Sequence, residues 1–472
     1  MLSKTKIIAT ISSLNCSPEF IQSLFNEGMN VVRLNTAHIT HDDARQIIIN
    51  TREVSDTIGI LLDTKGPEIR TCDNDEPLVV EHGDIIKIKG APRDISKNDV
   101  ICVSYEHIVR DIPVGSSILI DDGYIALEVV DKNEVYLNCR VENDGVINAR
   151  KSLNIPSVHV TLPALSKKDI GFIKFAADEN LDFIAHSFVR NSDDVIAVQK
   201  ILDGKKSPIK IIAKIENSQG VENINQIIDH AYGIMIARGD LAVEIPTQKI
   251  PLIQKQIIKT CIEKRRPVIV ATQMLHSMIN SPRPTRAEVS DVANACLDNA
   301  DAIMLSGETA SGKYPELAVR TMRSIAREVE INRSSFINVP YTLDDKITDY
   351  LAKAAVKASL RLNTEAIVAD SMTGNSILAL AAYRGDNPIY AQVYNKHVMR
   401  QLSLSFGVSP DFIEFDSGST IALRNSICTL LNRKKFKDDT LIIILAGSFG
   451  IKQGASYIEI STALNFKEKC TL

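Results

Sequence analysis

The chain has 472 residues, 44% hydrophobic and 24% charged, with 54 basic against 58 acidic side chains and a formal net charge of -4. One core rarely grows past about 250–300 residues, so this length calls for roughly two to four domains. The balanced charge excludes a field that would gather nucleic acid or an anionic membrane, and no apolar stretch approaches the roughly 20 residues of a membrane helix.

The first apolar run is Lys6–Ile11. Ser17-Pro18 follows, a helix start in which Ser caps and Pro takes the first turn. Two more runs come next, Asn30–Asn35 and Gly59–Thr64. From about Pro67 to His159 the texture changes to short segments, Ile85–Lys89, Ser117–Ile120, Ile125–Val130 and Val135–Asn138, with turn cues at Asp121-Asp122-Gly123 and Asp131-Lys132-Asn133. This predicts a small β domain inserted at 68–158. Helix-like segments Ser166–Asp178, Ser192–Leu202 and Pro315–Glu330 then alternate with runs Asp182–Phe188, Lys210–Glu216, Gly233–Asp240, Pro267–Gln273 and Ala302–Glu308. Near-continuous apolar runs suit strands buried on both faces of a parallel sheet. Eight strand–helix alternations predict a (β/α)8 TIM barrel from 1–67 and 159–335.

Beyond Asn332 the order is a helix at Asp344–Leu360, a strand at Ala366–Ala369, a turn at Gly374, a helix at Ser376–Arg384, and strands at Ile389–Val393 and Leu441–Ala446. This predicts a C-terminal α/β sandwich over 336–472. Met1–Thr10 carries too short an apolar run for a secretory leader. The eight cysteines contain no CxxC pair and read as reduced thiols, which points to a cytoplasmic protein.

In a barrel of this kind chemistry sits at the C-terminal ends of the strands. Those ends carry Arg33, Asn35, Asp63, Lys214, Glu216, Arg238, Asp240, Thr272 and Glu308. Polar residues also end strands simply because the apolar run stops. Lys214 and Glu216, however, lie two apart on one strand and share a face. Buried there, they must pair or act, since isolated buried charge is costly. An ion pair closing the barrel is one reading. The other is a Mg²⁺ site, with Asp240 on the next strand supplying a second hard oxygen and the lysine neutralising a transferring phosphoryl group. The run Gly307–Tyr314 nearly fits a P-loop, but Tyr stands where a Mg²⁺-binding hydroxyl is needed. It reads as at most a phosphate or turn loop of the barrel.

At these residues the sequence resembles the pyruvate kinase family over nearly its whole length. The matching stretches are TKIIATI, GMNVVRLN, LLDTKGPEIRT, KIENSQG, IMIARGDLAVEIP, ATQML, SPRPTRAEVSDVANA and DAIMLSGETASGKYP. The resemblance implies a barrel with a mobile β-rich lid and a regulatory C-terminal domain, assembled as a homotetramer. It implies transfer of a phosphoryl group from phosphoenolpyruvate to ADP, giving pyruvate and ATP. Lys214 then matches the transition-state lysine and Glu216 and Asp240 the Mg²⁺ ligands. Arg33 matches the substrate-phosphate contact, and Gly239, Asp240 and Thr272 the phosphoenolpyruvate pocket, with Thr272 near the carbon that gains a proton. Asn35, Asp63 and Thr64 match K⁺ ligands. Asn35, His38, Arg70 and Lys151 match nucleotide contacts.

Two residues bear on K⁺. Glu68 is the residue of K⁺-dependent members, whereas Ala37 stands where the family's common RLNFSH has a serine hydroxyl. The loop Ser371, Met372, Thr373, Gly374, Asn375, Ser376 partly resembles an effector-phosphate loop, and a simple helix cap is the competing reading. Two rivals stay open. One is another Mg²⁺ barrel acting on phosphoenolpyruvate or a keto acid without ADP, and the other a catalytically dead metabolite sensor.

Overall fold

The computed structural model describes residues 3–156, 158–332, 337–340, 346–414, 427–431, 433, 436–447 and 454–471. The expected domain junction at 335–336 and the start of the helix expected from Asp344 lie outside them.

Eight parallel strands close into a barrel. In chain order they are Lys6–Thr10, Val31–Asn35, Gly59–Asp63, Phe183–His186, Lys210–Ile215, Gly233–Ala237, Val268–Ala271 and Ala302–Leu305. Successive side chains on a strand point to opposite faces. Ile8, Val31, Leu61, Phe183, Ile212 and Met235 therefore fill the bore, while their neighbours form a second core under the helices. The second strand ends at Asn35 as read, and the other seven stop one to three residues before the apolar-run reading ends them. The polar tails already turn: Arg238–Glu244 and Gly307–Ala310 are helical. Ser17 caps Pro18–Glu27 through Phe20 N–H, and Ser166 caps Lys167–Asp178 in a capping box with Asp169.

Between the third and fourth barrel strands lies a separate β structure with its own core. Its larger sheet runs Leu153–Asn154, Ser117–Ile120, Ile125–Lys132, Leu137–Val141, Ile85–Gly90 and Val100–Val103 in spatial order. The last two strands pair parallel and all the others antiparallel. A two-stranded ribbon joins Leu78–Val80 to Gly145–Ile147. The C-terminal sheet has the order Val408–Phe412, Ile389–Val393, Ala366–Ser371, Leu441–Ala446 and Tyr457–Thr462, with only the last strand antiparallel.

This C-terminal unit sits under the N-terminal ends of the barrel strands. Asp182, fully buried before the fourth strand, accepts from Arg400 Nε at 2.6 Å and Arg52 Nη2 at 2.7 Å. Asp301, buried before the eighth, accepts from Arg384 Nη2 at 2.7 Å. Neither carboxylate is left uncompensated, which is the condition for burying charge at such a junction. Cys428 is disulfide-bonded, against the expectation of reduced thiols throughout, while Cys16, Cys72, Cys102, Cys139, Cys261 and Cys296 are free. Among the described residues no helix is long and apolar enough to cross a membrane.

His186, at the end of the fourth strand, has both ring nitrogens buried without a hydrogen-bond partner among the described residues. Burial pushes its pKa down to about 4, against the opposing pull of Asp194 and Asp169. An unfolded histidine titrates near about 6.5, so between these values the unfolded chain holds the extra proton and stability falls as pH falls. From pH 7 to 5 the loss should be about 2 kcal/mol, at roughly 1.4 kcal/mol per pKa unit. His186→Leu should flatten that part of the melting-temperature profile. Parallel profiles for variant and parent would contradict the assignment.

Candidate active site

The centre of the site is an ion-pair chain across the ends of four adjacent strands. Register pairs Asn35 with Asp63, Asp63 with Ala185 and Lys214 with Met235, so side chains remote in sequence meet at one mouth. Arg33 reaches Asp63 Oδ2 through Nε and Nη2, both at 2.7 Å, and donates from Nη1 to Thr10 Oγ1 at 3.0 Å. Asp63 Oδ1 lies 3.0 Å from Lys214 Nζ. The ammonium also reaches Glu216 Oε1 at 3.0 Å and donates to Ser187 Oγ at 2.7 Å. Its three protons therefore have three acceptors. Ser187 in turn donates to the Thr64 carbonyl at 2.6 Å, which leaves its lone pair facing the lysine.

The electrostatics follow from this packing. Burial alone would strip Lys214 of its proton, but Asp63 and Glu216 outweigh it and the pKa rises. Asp63 is held below the usual carboxylate range, because Lys214 and then Arg33 overcome its desolvation. Glu216 goes the other way, to about 7. Burial dominates, Lys214 opposes it, and Asp240 and Asp63 add repulsion. Asp240, in the first turn of Arg238–Glu244, is likewise raised by burial, with Lys214 opposing and Asp122 and Glu68 adding. No ion pair among the described residues reaches Asp240 within 4 Å. Glu216 thus shares one cation, Lys214, with Asp63 and accepts the Phe188 N–H at 2.7 Å, while Asp240 lines the cleft with no cation paired to it among the described residues.

Thr272 follows the seventh strand at φ +69°, with Gln273 at φ +55°. A β-branched residue there is strained by about 1–3 kcal/mol, and such strain persists only where the surroundings enforce it. Thr272 Oγ1 accepts the Gly239 N–H at 2.8 Å. A Cβ on Gly239 would lie 3.4 Å from that oxygen, so the approach is close but not forbidden to a side chain.

A cleft of about 380 Å³ opens above this chain, lined from the inserted β structure by Glu68, Arg70 and Lys151 and from the barrel by Phe188, Asn217 and Asp240. Arg70 pairs with Glu68 at 2.6 Å, and Lys151 pairs with Asp121 at 2.9 Å. Asn35 Oδ1 accepts from Ala37 N–H at 3.2 Å. Thr64 is buried, and His38 is exposed beside Asn35. The sequence-derived residues thus fall around one mouth, with three exceptions. Glu308 accepts the Leu275 and Ser306 N–H groups at 3.1 and 2.8 Å, a structural use. Arg238 turns away towards Asp291. The loop Ser371, Thr373, Gly374, Asn375, Ser376 lies in the C-terminal unit. There Ser371 Oγ accepts the Gly374 N–H at 2.9 Å and Ser376 Oγ donates to the Asp370 carbonyl at 3.3 Å. Ser187 was missed. Its one signal is a hydroxyl directly after a buried strand.

A closed parallel barrel with this charged mouth under a β-rich insertion defines a barrel enzyme with its site at the strand ends. Family models agree on which one. "Pyruvate kinase, barrel domain" matches residues 2–319, and "Pyruvate kinase, alpha/beta domain" matches 349–461. The chain is 44% identical to a pyruvate kinase of Borreliella burgdorferi over 98% of both chains. It is 40% identical to one of Staphylococcus epidermidis over 94% of this chain and 77% of that one. A crystal structure described as a pyruvate kinase from Cryptosporidium parvum superposes with a TM-score of 0.90 at 35% identity, covering 98% of this chain and 96% of that one. The chain belongs to the pyruvate kinase family and is a phosphotransferase.

Proposed function

We propose that this site moves the phosphoryl group of phosphoenolpyruvate to ADP, giving pyruvate and ATP. The observation that carries the reading is Lys214, buried and charged between Asp63, Glu216 and Ser187, beside Asp240, which has no ion pair among the described residues. Phosphoryl transfer asks mainly for positioning and charge stabilisation. Arg33 would hold the substrate phosphate, and Lys214 would neutralise charge on the transferring group and on the enolate left behind. Gly239, Asp240 and Thr272 would frame the phosphoenolpyruvate, with Thr272 beside the carbon that is protonated, through a water. Asn35, His38, Arg70 and Lys151 would receive the nucleotide as the lid, 68–158, closes over the barrel of 1–67 and 159–335 and excludes water. The C-terminal unit, 336–472, would carry regulation through the 371–376 loop, in a homotetramer in the cytoplasm.

Among the described residues no three His, Cys, Asp or Glu side chains converge as a ready metal cage. Glu216 and Asp240 therefore suit Mg²⁺, which takes one or two carboxylates and completes its shell with water and substrate. When bound it would supply Lewis-acid stabilisation of oxygen charge.

A coupled assay for pyruvate with and without ADP tests the reading. Phosphoenolpyruvate consumed without ADP and without pyruvate release would favour a mutase or aldolase, and no consumption at all a metabolite sensor.

Oxygens of Asn35, Asp63 and Thr64 at adjacent strand ends suit K⁺ as a second ion, yet Ala37 offers none. Water in place of one hydroxyl costs on the order of 1 kcal/mol. K⁺ added to enzyme in tetramethylammonium buffer should therefore activate it, at a higher half-saturating concentration than for Ala37→Ser. Full activity without K⁺, or equal requirements in both proteins, would contradict this.

A further inference from the structure

A side chain branched at Cβ does not rest in the left-handed region unaided, so something must hold Thr272 at φ +69°, next to Gln273 at φ +55°. From the cleft side, the Gly239 N–H donates to Thr272 Oγ1 at 2.8 Å, and that hydroxyl donates to the Ala271 carbonyl at 2.7 Å. From behind, Arg238 Nη2 donates to the Thr272 carbonyl at 3.0 Å. The guanidinium is itself gripped. Its terminal nitrogens reach the two oxygens of Asp291 at 2.6 and 2.7 Å, in the two-pronged geometry that favours arginine over lysine. Met274 Sδ lies 2.9 Å from Nη2, and Gln254 Oε1 lies 3.4 Å from Nη1. Asp291 belongs to the helix Arg286–Leu297, which packs against Pro315–Asn332. The strained turn is thus tied through one side chain, 13% exposed, to a rigid part of the barrel's outer ring.

We infer that Arg238, braced by Asp291, is a positioning residue that keeps Thr272 in the left-handed conformation, with its hydroxyl against Gly239 and beside Asp240. The inference rests on reading Thr272 as the residue near the carbon that is protonated, and adds what holds it there. Without Arg238 the Thr272 carbonyl has no donor behind it among the described residues. The 272–273 peptide then relaxes towards an ordinary conformation and the hydroxyl leaves Gly239. Arg238 faces Asp291 and not the cleft, so its loss leaves the groups that bind phosphate in place. Arg33 and Lys214 still hold the phosphate, so substrate affinity should fall much less than the rate of proton delivery.

The test compares the parent with Arg238→Gln, Arg238→Lys and Thr272→Ala for kcat, KM for phosphoenolpyruvate, melting temperature and the solvent deuterium isotope effect on kcat. Arg238→Gln should lower kcat about 100-fold, the scale of a small misplacement in a site, with a much smaller rise in KM. Arg238→Lys keeps the charge against Asp291 but cannot span both the carboxylate and the carbonyl. It should fold even where Arg238→Gln does not, and fall between Arg238→Gln and the parent. In both Arg238 variants and in Thr272→Ala the isotope effect should rise as protonation becomes limiting, a change that mere loss of stability would not produce. Impaired Thr272→Ala beside Arg238 variants of parental kcat, or with a parental isotope effect, would overturn the inference alone. Parental behaviour of Thr272→Ala would overturn the reading of Thr272 and the inference with it.

Discussion

Lys214→Met should give a protein that melts normally and turns over several powers of ten more slowly. Methionine keeps the length and flexibility of lysine and removes only the charge and the three donors. The fold tolerates this because the neighbours have other support. Asp63 keeps Arg33 at 2.7 Å, and Glu216 keeps the Phe188 N–H at 2.7 Å and titrates at about 7 even with lysine present, so it can take up a proton. Catalysis has no such reserve. One pre-aligned charged donor is worth about 3–4 kcal/mol or more at a developing anion, a factor of at least several hundred. Turnover and melting curves of both proteins check this. Normal melting with more than about a tenth of parental turnover would remove Lys214 from the centre of the mechanism.

The barrel was legible because parallel strands buried on both faces leave continuous apolar runs, and eight of them, such as Gly59–Thr64 and Pro267–Gln273, follow in order. Their ends were misjudged for a local reason. Arg238-Gly239-Asp240 continues the run as polar text, but it already forms the first turn of a helix. Pro410 hid the strand Val408–Phe412, which is possible only because that strand lies at the sheet's edge. In the site, Lys214 and Glu216 could be paired from spacing alone, since period two on one strand is a local rule. Ser187 could not be found this way. It meets Lys214 through the register of the fourth strand against the fifth, and a single sequence does not print register. Glu308 and Arg238 looked like members of the charged ring and are not, because the direction of a side chain after a strand ends is set by the turn. The strain at Thr272 leaves no trace in residue type: threonine is a poor choice for a left-handed position, and only its surroundings explain it.

The same dependence on register makes Asp63→Asn the second most damaging change expected. One carboxylate, 1% exposed, serves two cations: Oδ2 faces Arg33 and Oδ1 faces Lys214, with Ser187 Oγ at 3.3 Å. Asparagine has the same shape, but one side of its amide must point N–H groups at a guanidinium or an ammonium. Breaking a buried pair this way costs about 3–5 kcal/mol, because the partner charge stays buried. Lys214 should shift towards Glu216, and a displacement of that kind lowers turnover by about 100-fold or more. The pH dependence has a fixed sign. Burial would raise the carboxyl's pKa, but Lys214 and then Arg33 hold it below its ordinary value. Its contribution is therefore complete above the unfolded value of about 3.9, and is lost as pH falls through the lower folded value. The melting-temperature gap between parent and Asp63→Asn should be widest near neutrality and close in acid. K⁺ separates the two uses of this residue. If Asp63 served only to hold a monovalent ion, saturating K⁺ would restore the variant. Because the same oxygens hold both basic side chains, turnover should stay low at any K⁺ concentration, and recovery to near the parental rate would assign Asp63 to the ion alone.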